Sequence, residues 1–106
     1  MHIWVRDVEE NWIRADLIAG LRLDSFRTSE GLRSVVSAKV LDGDEGSARS
    51  VALYRGSCGD KFAATDLASV LGSAAHGDKA ALFIYPQTDD NELIWDAIDD
   101  PRTDWL

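Results

Sequence analysis

Apolar and polar positions alternate through most of the first sixty residues, which is the pattern of strands that bury one face. In the clearest stretch, Val36, Ala38 and Val40 alternate with Ser37 and Lys39. Turn residues, including Asp42-Gly43, separate neighbouring stretches. We therefore predict a β-meander of about five strands in a mostly antiparallel sheet, with a brief return strand at 61–64. The predicted strands cover residues 2–6, 12–14, 18–26, 32–41 and 49–55.

Helical spacing replaces the alternation after residue 64. Thr65 is placed to cap the free N–H groups of a helix, and Gly77 supplies a stop, so we predict one main helix over residues 65–76, packed on the sheet. Its apolar stripe is formed by Leu67, Val70, Leu71, Ala74 and Ala75.

The last third of the chain predicts one more strand and one more helix. Residues 80–85 are apolar on both faces, as in a strand covered from both sides, and we expect Pro86 to end it. Thr88 or Asp89 can cap the short C-terminal helix that follows, and Pro101 ends it. The apolar stripe of that helix is Leu93, Ile94, Ala97 and Ile98.

Strands followed by helices indicate the α+β class. At 106 residues the chain has the size of a single domain, so we predict one domain over 1–106, with 102–106 as a C-terminal tail. The first seven residues lack the basic and apolar regions of a secretory signal. One cysteine excludes an internal disulfide. We therefore expect a cytoplasmic protein.

Charge is unevenly distributed along the chain. The net charge is −8, and residues 71–106 hold eight acidic side chains against two basic ones. This acidic end argues against nucleic acid, because phosphates are bound by clustered Lys and Arg. No apolar run approaches the roughly 20 residues that cross a bilayer, so no membrane partner is expected. A protein with a basic surface fits the charge asymmetry.

No motif predicts a catalytic, cofactor-binding or metal-binding residue. Cys58 lies in a turn about seven residues before the predicted helix, too far to be activated by that helix, and His2 and His76 show no metal-ligand spacing. Residues 42–53 do not follow the calcium-loop pattern. Residues 56–61 lack the Gly-Lys-Ser/Thr end of a phosphate-binding loop. We expect turns at both places and no cofactor.

Tryptophan and carboxylates at the acidic end predict a partner-binding surface. Trp95 lies at the edge of the predicted C-terminal helix, beside its acidic side, and Trp4 lies on the polar side of the first strand. Tryptophan is enriched in binding hot spots. The alternatives are rings covering the rim of a small core and a solvated acidic helix face. The carboxylates assigned to this surface are Glu92, Asp96, Asp99 and Asp100.

Small side chains predict a second contact on the main helix. Ser69 and Ser73 lie with Gly72 and His76 on its outward face, where no long charged side chain is present. Such a face allows close approach by another helix or sheet, and we predict a homodimer through residues 65–76. The alternative is that the chain's own C-terminal segment covers this face.

These features favour a small acidic, non-catalytic protein-binding or regulatory module. One specific form is an inhibitor or immunity-type protein that covers the basic active site of a nuclease. The alternative is a small-molecule-binding or enzymatic domain whose pocket lies between sheet and helix. Such a pocket would be lined by Arg14, Arg22, Tyr54 and Tyr85. A third reading is a domain of a larger complex whose acidic end serves solubility alone.

Overall fold

A computed structural model of the chain describes residues 2–42, 47–57, 62–76, 81–90 and 92–98. Within these ranges the fold is α+β, as predicted, with seven strands, one α-helix and a 3₁₀ turn at Ala15–Leu17. The helix is α1, Ala63–Ala75. The strands are β1 (His2–Arg6), β2 (Trp12–Arg14), β3 (Ile18–Thr28), β4 (Gly31–Asp42), β5 (Ser47–Gly56), β6 (Ala81–Asp89) and β7 (Glu92–Ile98).

The strands form two sheets instead of the single predicted one. The meander β3-β4-β5 is a three-stranded antiparallel sheet, whereas the four-stranded sheet has the order β2-β1-β6-β7. In the four-stranded sheet β1 and β6 pair in parallel, with Ile3 opposite Leu82, while the other pairs are antiparallel. The early strands therefore divide between two sheets, because β1 pairs with a strand from the end of the chain.

One hydrophobic core joins both sheets and the helix. Val5 and Ile84 of the four-stranded sheet are fully buried, as are Leu53 of the three-stranded sheet and Leu67 of α1. The predicted stripe of α1 is confirmed at Leu67 and Ala74, which are buried, while Ala75 is exposed. The face of the four-stranded sheet that carries Val5 and Ile84 therefore packs on the rest of the molecule, and we call it the inner face.

The predicted C-terminal helix is wrong, because Glu92–Ile98 form strand β7. The apolar stripe also fits a strand, since Leu93 and Trp95 fall on one face and Ile94 on the other. Pairing with β6 satisfies the backbone of this segment, and the Asp89–Glu92 spacing that resembles a helix cap is the end of the β6–β7 hairpin. Asp90 in its turn has a φ of 49°, a conformation that Asp adopts more readily than most residues.

Two further boundaries differ from prediction. Strand β6 continues through Pro86 to Asp89. The last described β1–β6 pair is Val5 with Ile84. The nitrogen of Pro86, which has no hydrogen to donate, can therefore face the β1 side of the strand without removing a hydrogen bond from either ladder. Helix α1 begins at Ala63, which is 3% exposed, so Thr65 lies in its first turn instead of capping it. Residues 63–64 are therefore helical and form no return strand.

Candidate partner-binding surface

The outer face of the four-stranded sheet, opposite the core, carries four of the eight aromatic side chains in the described residues. Residues paired in register on neighbouring strands point to the same side of a sheet. Trp4 is paired with Phe83, Trp12 with Arg6, and Tyr85 follows two residues after Phe83. All five side chains are half-buried, and none is excluded from solvent. We call Trp4, Trp12, Phe83 and Tyr85 the aromatic face.

Contacts between side chains hold the aromatic face in a defined arrangement. The rings of Trp12 and Phe83 meet edge to face, with centroids 5.3 Å apart and an interplanar angle of 78°. The guanidinium carbon of Arg6 lies 5.2 Å from the centre of the Tyr85 ring. Edge-to-face and cation–π geometries of this kind are favourable. The face is therefore a pre-arranged aromatic platform that already accommodates one guanidinium group.

Carboxylates lie along the β7 side of this platform. Asp96 is paired with Tyr85 and is half-buried, and Glu92 is exposed at the end of the β6–β7 hairpin beside Asp89 and Asp90. Residues 81–98 contain no Lys or Arg. Arg14, Arg22 and Arg33 form ion pairs with carboxylates elsewhere, those of Asp16, Asp24 and Glu30. The hairpin thus gives the aromatic face a negative border.

Trp95 occupies the opposite side of the same strand. Its ring is 6% exposed, and its indole Nε1–H donates a 3.0 Å hydrogen bond to the backbone carbonyl of Ala63 in the first turn of α1. The expectation that Trp95 is presented to a partner is therefore wrong. The ring is a core group that attaches α1 to β7, and the helical spacing that placed it beside the carboxylates does not exist.

The remaining predicted partner residues are dispersed. Ser69 and Ser73 are exposed on α1, as expected for its outward face. Asp99 and Asp100 lie outside the described residues, as do Cys58 and the predicted tail. The structure thus brings together Trp4, Glu92 and Asp96 on the outer side of one sheet, and it places Ser69 and Ser73 on a separate element.

The pocket expected between sheet and helix is not assembled from the four residues proposed to line it. Arg14 borders an open cavity of about 440 Å³ between β1 and α1, together with Ile3 and Leu71. Tyr54 borders a different cavity, and Tyr85 lies on the aromatic face. Arg22 pairs with Asp24 on β3. The described residues that line the cavity beside α1 are mainly aliphatic.

The sequence pattern gave Trp12 and Phe83 no functional role and assigned Tyr85 to a pocket instead of the aromatic face. A signal existed in residues 80–85, where Phe83 and Tyr85 alternate with Leu82 and Ile84. That run was interpreted as a strand covered on both sides. What assembles the face is the pairing of β1 with β6, which local spacing does not reveal.

Across the described residues, no group of three or more His, Cys, Asp or Glu side chains is arranged to hold a metal ion. No helix in that part of the chain combines the length and apolarity that crossing a membrane requires. The sequence matches no protein-family model, and no curated protein or solved structure matches the chain.

Proposed function

We propose that this chain is a non-catalytic protein-binding module that docks a partner with a basic surface on its aromatic face. The observation that supports this most directly is the position of Asp96. It shares a face with Tyr85 and Trp4, while the hairpin that carries it has acidic residues and no basic ones. An aromatic platform with a carboxylate border suits a partner that presents Arg or Lys.

The aromatic rings and the carboxylates beside them would make different contacts with such a partner. A guanidinium group of the partner can stack on an aromatic ring, as Arg6 does on Tyr85, and pair with the Asp96 carboxylate. The aromatic rings supply buried area at low conformational cost, which is why such residues dominate binding hot spots. Arg6 is carried by β1 and Arg14 by β2, both away from β7, so a basic partner group should approach from the β7 side.

Three narrower expectations from the sequence stay predictions. One is that the partner is a nuclease whose basic active site the protein covers as an inhibitor or immunity-type protein. The second is that Ser69 and Ser73 on α1 mediate self-association. The third is the cytoplasmic location.

A titration with matched peptides tests the proposed function. The probes are a peptide of alternating arginine and alanine and its counterpart with glutamate in place of arginine. Nuclear magnetic resonance of the isotope-labelled protein reports where each binds. We expect the basic peptide to shift amide signals of β1, β6 and β7, with affinity that falls as salt is added. The acidic peptide should leave these signals unchanged.

Two single-charge variants make the test specific. Asp96→Asn removes the carboxylate on the aromatic face, whereas Asp66→Asn removes an exposed carboxylate on α1. Trp4→Ala removes a ring from the face without changing charge. We expect Asp96→Asn and Trp4→Ala to weaken binding several-fold and Asp66→Asn to leave it unchanged. Equal losses for both Asp variants would mean that net charge, and not this face, attracts the peptide, and the proposal would fail.

A further inference from the structure

Strand β3 is the longest edge in the described fold. It has 11 residues and stands at the end of the order β3-β4-β5, so β4 is its only strand neighbour among the described residues. Among the described residues, no backbone hydrogen bond joins its other side to a strand or to α1. Natural proteins usually shorten, bend or cover an edge of this length, because it is a template for association with another chain.

The sequence of β3 is complementary to itself when two copies run antiparallel. With Leu23 opposite Leu23 of the second copy, Arg22 of each copy faces Asp24 of the other, and both lie on the outer side of the sheet. Within one chain Arg22 Nε already donates to Asp24 Oδ1 at 3.0 Å. The pairing would therefore set four charges at the corners of a square, with opposite signs along every side. Opposite charges in directly paired positions stabilise a sheet, and like charges destabilise it.

The positions that flank this centre also match. In the same register Phe26 of one copy lies opposite Gly20 of the other. Phe26 is 47% exposed, and nothing lies within 4 Å of where a Cβ on Gly20 would be. An aromatic ring laid across a paired glycine is a known way of stabilising a sheet at a glycine position.

Space is available beside this half of the strand. An open groove of about 500 Å³ runs between β3 and α1, and small or aliphatic groups line it, including Gly20, Leu21 and Ala68. The end of a second copy's β3–β4 hairpin would run alongside this groove. The described residues that line the groove include no charged side chain.

We infer that two copies of this chain associate through their β3 strands, which join the two three-stranded sheets into one six-stranded sheet. The surface is separate from the aromatic face, so the dimer would present two partner-binding faces. It also differs from the self-association through α1 that the sequence suggested, and the experiment below distinguishes the two.

Sedimentation equilibrium over a range of concentrations measures the association. We expect the wild-type protein to form a dimer. Arg22→Glu puts two carboxylates opposite each other on both sides of the centre, and we expect the dissociation constant to rise about tenfold or more. Asp24→Arg should weaken the dimer similarly. The double variant Arg22→Asp/Asp24→Arg restores opposite charges and should recover most of the wild-type affinity.

Arg55→Glu is the matched control, because it makes the same charge change at an exposed position of β5, on the far side of the same sheet. It should leave the dimer intact. Hydrogen exchange of the wild-type protein adds a readout that needs no variant: amides of β3 should become protected as concentration rises. A wild-type monomer at every concentration would overturn the inference. So would protection confined to α1, failure of the double variant to recover, or equal weakening by Arg55→Glu.

Discussion

Replacing Trp95 tests the central structural finding, that residues 92–98 are a strand whose Trp95 side faces the core. An aromatic side chain of this class buries about 150–250 Å², which at about 25 cal/mol per Å² corresponds to about 4–6 kcal/mol. Because Trp95 is 6% exposed and donates a hydrogen bond to Ala63, Trp95→Ala should lower the free energy of unfolding by about 3–5 kcal/mol. The whole free energy of unfolding of a natural domain is only about 5–15 kcal/mol.

Two further variants separate the contributions. Trp95→Phe keeps most of the ring but removes the indole N–H, so it should cost about 1–2 kcal/mol. Ile94→Ala truncates the neighbouring side chain, which is 40% exposed on the opposite face, and should cost about 1 kcal/mol or less. Chemical denaturation followed by far-ultraviolet circular dichroism gives all three values from the midpoint and slope.

The relative sizes of the three losses in the free energy of unfolding show which face of β7 points to the core. If position 95 lay at the solvated edge of a helix, its truncation would change stability by only about 0.5 kcal/mol. If the strand were turned over, Ile94→Ala would cost more than Trp95→Ala. Either result would refute the assigned face of β7, and with it the placement of Asp96 on the aromatic face.

Two other predictions concern the loops and glycines. Asp7 is 8% exposed, and its Oδ1 accepts hydrogen bonds from the backbone N–H groups of Glu9 and Asn11 at 2.9 and 2.8 Å, so Asp7→Ala should cost about 1–3 kcal/mol in thermal or chemical unfolding. Asp7→Asn keeps an acceptor oxygen and should cost less; equal losses would mean that these bonds do not stabilise the turn. Gly31 has a φ of +115° with open space around it, so Gly31→Ala should lower stability by about 1–2 kcal/mol through backbone conformation alone. Gly72→Ala, exposed within α1, should instead raise stability by about 0.5–1 kcal/mol, and the same sign for both glycines would contradict this explanation.

Elements with a locally decisive pattern could be predicted from the sequence. The meander of β3, β4 and β5 follows from strict alternation and from turns at its ends, and the stripe of α1 from helical spacing. Residues 92–98 were ambiguous, because a short apolar run fits both a helix and a strand. Hydrogen bonding to β6 decides that this segment is a strand. That interaction joins two segments of the chain and leaves no mark on the local pattern of either one.

The candidate site shows the same division. Trp4 could be placed on the outer side of its strand from alternation alone, and this placement is retained. Its neighbour Phe83 belongs to a different strand, and only the parallel β1–β6 pairing brings the two rings together. A single sequence gives no direct sign of such a pairing. Trp95 was misplaced because the face of a residue depends on whether its segment is a helix or a strand.

The parallel contact between His2–Arg6 and Ala81–Asp89 has a consequence for biosynthesis. The β3-β4-β5 meander involves neighbours in the chain and can form early on the ribosome. Strand β1 can pair early with β2, but its other edge must wait until residue 84 has emerged before β6 can pair with it. Until then Trp4 and Val5 lack their neighbours Phe83 and Ile84 in the nascent polypeptide. Such a segment is a natural client for a chaperone during this delay, and synonymous codon changes that slow translation between residues 60 and 80 would prolong it.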